Sequence, residues 1–140
     1  MLDFSLQPYE WQKSMDIILQ NVDLCNIEFL SDCSVLFSFS NCYDGNPFKK
    51  ILCHNVWQFS KESNTEGEGF PLFICDIRVA QLKSLEIEEA FRYFRFGLGI
   101  PSSHSYTLLC LDSGEISIRL ICENINLCDI SIDLPSALKT

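Results

Sequence analysis

Eight cysteines and two histidines are the residues whose chemistry first stands out in this sequence of 140 residues. Thiolates and imidazoles bind zinc, and thiolates can also act as nucleophiles. Structural zinc sites usually take paired ligands from one tight turn, but the sequence contains no CxxC pair and no HxxxH pair. Because most of the cysteines fall within predicted strands, we interpret them as core residues and expect neither a metal site nor a cofactor.

A disulfide between Cys110 and Cys122 can be tested by geometry. A hairpin turn predicted at Asp112-Ser113-Gly114 would place Cys110 opposite residue 117 and Cys122 opposite residue 105. The two cysteines would then lie about five positions apart along the ladder, at about 3.4 Å per residue. This separation exceeds the Cα–Cα limit of roughly 7 Å for a disulfide, so we predict that both thiols stay reduced.

A nucleophilic cysteine needs a neighbouring base or cation that lowers its pKa. Cys53 and His54 are adjacent in the sequence. On a strand, however, adjacent side chains point to opposite faces, so the two residues cannot easily pair. The sequence therefore predicts no catalytic residue.

Asp76 and Arg78 form the most distinctive polar pair, because they share one face of a predicted strand whose other face is apolar. His54 lies on the more polar face of the preceding predicted strand. If these two strands pair, His54, Asp76 and Arg78 would form a polar patch or the wall of a cleft. The alternative is a solvated sheet face with an ion pair of little energetic weight. His104, at the start of a later strand, is a fourth candidate binding residue, although a position in a loop would also explain it.

Two helices are predicted among the elements that must position these residues. Pro8 to Val22 carries apolar residues at helical spacing, although the run Ile17-Ile18-Leu19 also suits a strand. Ser84 is a plausible N-cap for a second helix, which Gly97 would end.

Four strands are predicted between these helices and two or three after the second, over residues 24–29, 34–40, 48–59, 71–82, 104–111, 115–123 and 125–134. Consecutive strands joined by short turns favour antiparallel pairing. The sequence therefore predicts one α+β domain over residues 1–140, a mainly antiparallel sheet of about six to seven strands with one or two helices packed on one face.

Alternation assigns the faces of the two central strands. Trp57 and Phe59 are predicted on the more apolar face of the third strand, and Phe73 and Cys75 on the apolar face of the fourth. The opposite, otherwise polar face of the fourth strand carries Leu72 and Ile74. These apolar side chains would favour homo-oligomerisation through the sheet.

The net charge of −9, from 19 acidic and 10 basic residues, restricts the classes of partner. Binding to a nucleic-acid backbone or an anionic membrane surface needs clustered Lys and Arg, so we expect neither partner. We see no signal peptide and no stretch long enough to cross a membrane, and therefore expect a cytoplasmic protein with reduced thiols. Acidity is compatible with a basic protein partner and also with solubility alone.

Two functions from different classes remain open. The leading hypothesis is a small, acidic, non-enzymatic protein-interaction module. The alternative is a small-ligand-binding or hydrolytic domain with its site on the sheet face around His54, Asp76 and Arg78. In size and charge, but in no motif, the chain is similar to some immunity proteins that neutralise toxins, and that likeness assigns no residue.

Overall fold

A computed structural model describes residues 2–63, 69–83, 85–93, 106–114 and 116–129. Within these ranges no helix is long and apolar enough to cross a membrane. The chain forms two short helices and six strands in the order α1 (Pro8–Gln12), β1 (Asp16–Phe29), β2 (Val35–Asn41), β3 (Pro47–Ser63), β4 (Leu72–Leu82), α2 (Leu85–Tyr93), β5 (Tyr106–Asp112) and β6 (Ile116–Asp129).

The six strands pair antiparallel and close into a barrel with the order β1-β2-β3-β6-β5-β4. The predicted antiparallel sheet of about six strands is thus confirmed, whereas its closure was not predicted. Closure depends on the length of β1, which pairs with β4 along residues 16–24 and with β2 along residues 22–29. Since every strand then has a partner on both sides over part of its length, the sheet has no full-length edge.

Apolar side chains from one face of each strand fill the interior of the barrel. This inner cluster contains the alternating residues Val35, Phe37 and Phe39 of β2, as their spacing predicts. Phe37 lies between two further rings, with centroids 6.5 Å from Phe39 and 6.4 Å from Phe59. The interior is therefore a packed core.

A second apolar cluster lies on the outer face of β4, β5 and β6. Those strands contribute Leu82, Tyr106, Leu108, Cys110 and Ile121, and the chain segments around α1 and α2 contribute Leu2, Phe4, Trp11, Met15, Ile87 and Ala90. All residues of β5 before its last are consequently buried, which hides the alternation expected of a strand with one solvated face.

The helix predicted over residues 8–22 is wrong beyond Gln12. Strand β1 begins at Asp16, and its first residues pair with β4, with Ile17 opposite Arg78. The β-branched run at residues 17–18 fits a pleated, partly buried surface better than a helix, and long-range pairing decides between the two. Trp11 and Met15 are buried as the stripe predicted, but they belong to the segment around α1 rather than to one long helix.

A bulge near Asn55 exchanges the faces of β3 over a few residues, after which Phe59 again packs against the inner cluster. Asn55 has a φ of 51°, in the left-handed region, and the register with β6 shifts between Val56 and Gln58. Val56 therefore packs against the inner cluster, while Trp57 is 39% exposed outside the barrel. The prediction that Trp57 shares the apolar face with Phe59 is wrong for this reason.

The predicted faces of β4 are also wrong in its first half. Leu72 and Ile74 point into the inner cluster, whereas Phe73 is 46% exposed and Cys75 is exposed. The apolar pair that favoured homo-oligomerisation is thus accounted for by the barrel core.

Candidate functional site

The polar residues Asp76 and Arg78 lie on the outer face of the barrel, beside the second apolar cluster. Cys110 on β5 pairs with Arg78 on one side and with Arg119 of β6 on the other. The next row begins with Asp76 opposite Asp112. Two arginines therefore form one row across the three strands, and two aspartates form the next.

Each arginine contacts an aspartate of the neighbouring row. Arg119 Nη1 lies 2.9 Å from Asp112 Oδ1, and the two side chains are 12% and 25% exposed. Arg78 Nη2 lies 3.5 Å from Asp76 Oδ2, with side chains that are 18% and 33% exposed. We call these four side chains, together with that of Gln12, the charged clamp. Their formal charges sum to zero.

The clamp ties α1 to the barrel through Gln12. In the amide orientation that satisfies both neighbours, Gln12 Nε2 donates to Asp112 Oδ2 at 2.8 Å, and Gln12 Oε1 accepts from Arg119 Nη2 and Nε. Arg78 Nη1 donates to the main-chain carbonyls of Gln12 at 3.2 Å and Met15 at 3.3 Å. Carbonyls at the end of a helix lack partners within it, so Arg78 adds a donor to Gln12 at the end of α1 and to Met15 just beyond it.

Burial dominates the electrostatics of Asp112. Burial raises the pKa of this carboxyl, while the charge of Arg119 and hydrogen bonds from Arg119 and Ser117 lower it, and the nearby Asp76 raises it slightly further. The net direction is upward, which means that the protein environment disfavours the ionised form. A cleft of about 180 Å³ opens beside the clamp, lined by Tyr9, Gln12, Lys13, Cys75, Asp76, Arg78, Asp112 and Ser113.

His54 does not join Asp76 and Arg78, so the predicted cluster of these three residues is wrong. In the closed strand order, two strands separate β3 from β4 in either direction around the barrel. His54 Nε2 instead lies 2.9 Å from Asn126 Nδ2 of β6. The cluster depended on pairing between the third and fourth strands, and the barrel pairs β3 with β2 and β6. His104, the fourth candidate, lies outside the described residues.

Sequence reasoning missed Gln12, Asp112 and Arg119. Its register for the β5–β6 hairpin placed Cys110 opposite residue 117, but Cys110 pairs with Arg119. The correct register would have shown that Arg119 and Asp112 are close neighbours on one outer face. The contribution of Gln12 comes from α1, far from β5 and β6 in the sequence, and spacing along the chain carries no signal for it.

All eight cysteines are free, but only Cys53, Cys110 and Cys122 are buried, so the interpretation of the cysteines as core residues is wrong for the other five. Cys122 pairs with Thr107, far along the ladder from Cys110, so the conclusion about that pair is confirmed although the register was wrong. Burial raises the pKa of Cys110 to about 12, and contact with the Cys122 thiol together with burial raises the pKa of Cys53. Such thiols react slowly as nucleophiles. Among the described residues, no group of three or more His, Cys, Asp or Glu side chains could hold a metal ion.

Comparisons with known proteins agree with this fold. The crystal structure of an uncharacterized protein from Neisseria gonorrhoeae is similar to this chain, with a TM-score of 0.57 and 28% sequence identity, over 80% of this chain and 94% of that chain. No curated protein matches. A protein-family model matches residues 17–129, which run from β1 to the end of β6. Because this match spans most of the chain, the protein belongs to that family.

Proposed function

We propose that this protein is a non-enzymatic protein-interaction module that binds a basic protein partner through its outer surface. The observation that supports the proposal is the charge of its exposed side chains. In the part of the chain that the structure describes, nine acidic side chains are exposed against four basic ones, Lys13, Lys61, Lys83 and Arg92. The acidic ones are Asp3, Glu10, Asp16, Glu28, Asp32, Asp44, Glu62, Glu89 and Glu123.

The arginines of the charged clamp do not reduce this excess of exposed negative charge. Arg78 and Arg119 are each within ion-pair distance of an aspartate, so their charge is offset locally and does not cancel the field of the exposed acids. The packed interior of the barrel also favours the outer surface as the place of binding. A surface of one sign accelerates association with a partner of the opposite sign and selects against partners of like charge.

The proposal includes a position for the helices and a location in the cell. We infer that α1 and α2 pack on one outer face of the barrel, where Trp11, Ile87 and Ala90 share an apolar cluster with β4, β5 and β6. The outer face of β1 then stays open to a partner, whereas Leu36 of β2 and Leu52 of β3 are buried in a small cluster with Leu30. A cytoplasmic location would keep the exposed thiols of Cys25, Cys33 and Cys75 reduced.

Capture of partners by the immobilised chain from an extract of its own source cells tests this function. We expect the captured proteins to be basic and to elute as salt is raised to about 0.5 M, because salt screens exposed charges. A control chain with Glu10→Gln, Glu28→Gln, Asp32→Asn and Glu123→Gln keeps the clamp and both cores. With a purified captured protein, we expect this control to associate at least about tenfold more slowly. Capture of acidic proteins alone, or equal association by both chains, would contradict the proposal.

The cleft beside Asp76 and Arg78 supports a second candidate function, the binding of a small polar ligand. The observation in its favour is that burial raises the pKa of Asp112 beside a cleft, a combination that recurs at ligand sites. We expect such a ligand to raise the midpoint of thermal unfolding of the natural chain and to have a reduced effect on Asp76→Asn. Asp76 is the more exposed acid of the clamp, so this variant should fold. If a broad panel of polar metabolites shifts neither chain, this second candidate is wrong.

A further inference from the structure

A second cleft, of about 320 Å³, lies between the N-terminal segment and α2. Its lining includes the rings of Phe4 and Tyr93, which meet the buried ring of Trp11. The ring centroids of Phe4 and Trp11 are 5.1 Å apart, those of Trp11 and Tyr93 are 5.9 Å apart, and those of Phe4 and Tyr93 are 6.0 Å apart. Phe4 and Tyr93 thus form the aromatic part of the lining, and the buried Trp11 ring contacts both of them.

Charged side chains complete the lining. Asp3 and Glu89 are exposed acids, and Arg92 lies three residues beyond Glu89 on α2. Asp3 Oδ1 accepts hydrogen bonds from the main-chain N of Ser5 at 3.0 Å and from Ser5 Oγ at 2.5 Å, and these bonds lower the pKa of Asp3. Asp3 therefore remains negatively charged well below neutral pH.

A buried contact joins the N-terminal segment to α2, the two chain segments that line this cleft. Glu86 is 8% exposed, and its Oε2 accepts a hydrogen bond from the main-chain N of Leu2 at 2.8 Å. Its Oε1 accepts from the main-chain N of Lys83 at 3.4 Å. One carboxylate thereby fixes the N-terminal segment against the start of α2, so the shape of the cleft exists before any ligand arrives, which reduces the cost of binding.

We propose that this aromatic cleft binds a cationic side chain, Arg or Lys, presented by the basic protein partner. The faces of aromatic rings attract cations, and the two carboxylates on the rim add charge of the same sign as those faces. Arginine fits better than lysine, because its planar guanidinium can stack on a ring while it donates to a carboxylate. The inference rests on the proposed function and adds to it the place and the chemistry of the main contact.

Titration of the full-length, 15N-labelled chain with an acetylated tetra-arginine peptide tests the inference by NMR. We expect the Trp11 indole N–H and the amides of residues 3–5 and 89–93 to shift on binding. Asp3→Asn and Glu89→Gln should each weaken binding about three- to fivefold, whereas Arg92→Gln, which removes a like charge, should strengthen it by a similar factor. Tyr93→Leu should weaken binding, and Tyr93→Phe should preserve it, because only the latter keeps the aromatic face.

Glu28→Gln is the matched control, since it removes an exposed acid on β1 outside this cleft. Equal weakening by Glu28→Gln and Glu89→Gln would show that general charge attracts the peptide, which would overturn the inference and leave the proposed function standing. Weaker binding in Arg92→Gln would show that the cleft prefers anions and would also overturn it. If the natural chain binds the arginine peptide at no site, the proposed function is contradicted as well.

Discussion

Replacement of Trp11 by Ala is expected to lower the free energy of unfolding by about 3 to 5 kcal/mol, the usual cost of removing a buried aromatic side chain. Trp11 is 1% exposed and contacts Phe4 and Tyr93 through its ring. It also belongs to the outer apolar cluster, where it meets residues of α2 and of the outer face of the barrel. The substitution therefore leaves a cavity between α1, α2 and the outer face of the barrel. Because α1 has only five residues, it depends on this packing for its stability.

Trp57→Ala is the control for Trp11→Ala, because it removes the same side chain from an outer position that is 39% exposed. Trp57 makes one edge-to-face contact with Tyr106, at 5.9 Å between centroids. We expect this variant to lose less than half as much stability, since part of its ring is already in water. Urea unfolding followed by far-UV circular dichroism measures both free energies. Equal losses in the two variants would contradict this prediction.

Local patterns predicted those parts of the fold that neighbouring residues decide. The alternation of Val35, Phe37 and Phe39 identified a strand and its inner face. The turn signal between β2 and β3 was equally reliable, because Gly45 adopts a φ of 74° and its N–H donates to the Asn41 carbonyl at 2.8 Å. A residue without a Cβ adopts this left-handed conformation at no steric cost, so the sequence itself carries the information.

The remaining features depend on contacts between residues far apart in the chain. Asn21 and Asn55 adopt positive φ angles within strands, and the bulge near Asn55 exchanges the inner and outer faces only over the residues before Phe59, which again packs against the inner cluster. An asparagine in a polar stretch gives no warning of this exchange. Closure of the sheet had a larger effect on the candidate site, because it moved His54 to the side of the barrel away from Asp76. Strand order is a property of the whole chain, and alternation along one strand does not encode it.

Removal of one charged partner from the charged clamp is also expected to lower the free energy of unfolding by a large amount. We expect Arg119→Met to lower the free energy of unfolding at pH 7 by about 2 to 3 kcal/mol, because it leaves the partly buried Asp112 carboxylate without its cation. The variant keeps an unbranched apolar chain at position 119, so the change in packing is small. Asp112→Asn should lose only about 1 kcal/mol, since the amide can still accept from Arg119 and no buried charge remains.

The pH dependence of the Arg119→Met defect separates electrostatics from packing. Burial already raises the pKa of Asp112 in the folded protein, so the cost of its ionised form grows as pH rises from about 4, near its value in the unfolded chain, through its higher folded value. Loss of Arg119 removes an interaction that lowers the pKa of Asp112 in the folded protein. The pH range between the unfolded and the folded pKa of Asp112 therefore widens. We expect the defect of Arg119→Met to be largest near pH 7 and to shrink as pH falls toward 4, because a growing fraction of Asp112 then binds a proton and loses the charge that Arg119 offsets. Urea unfolding at several pH values measures this trend, and the double variant with Asp112→Asn should show a defect that hardly changes with pH. A defect of Arg119→Met that is equally large at pH 4 would mean that Arg119 stabilises the fold by packing rather than by its charge.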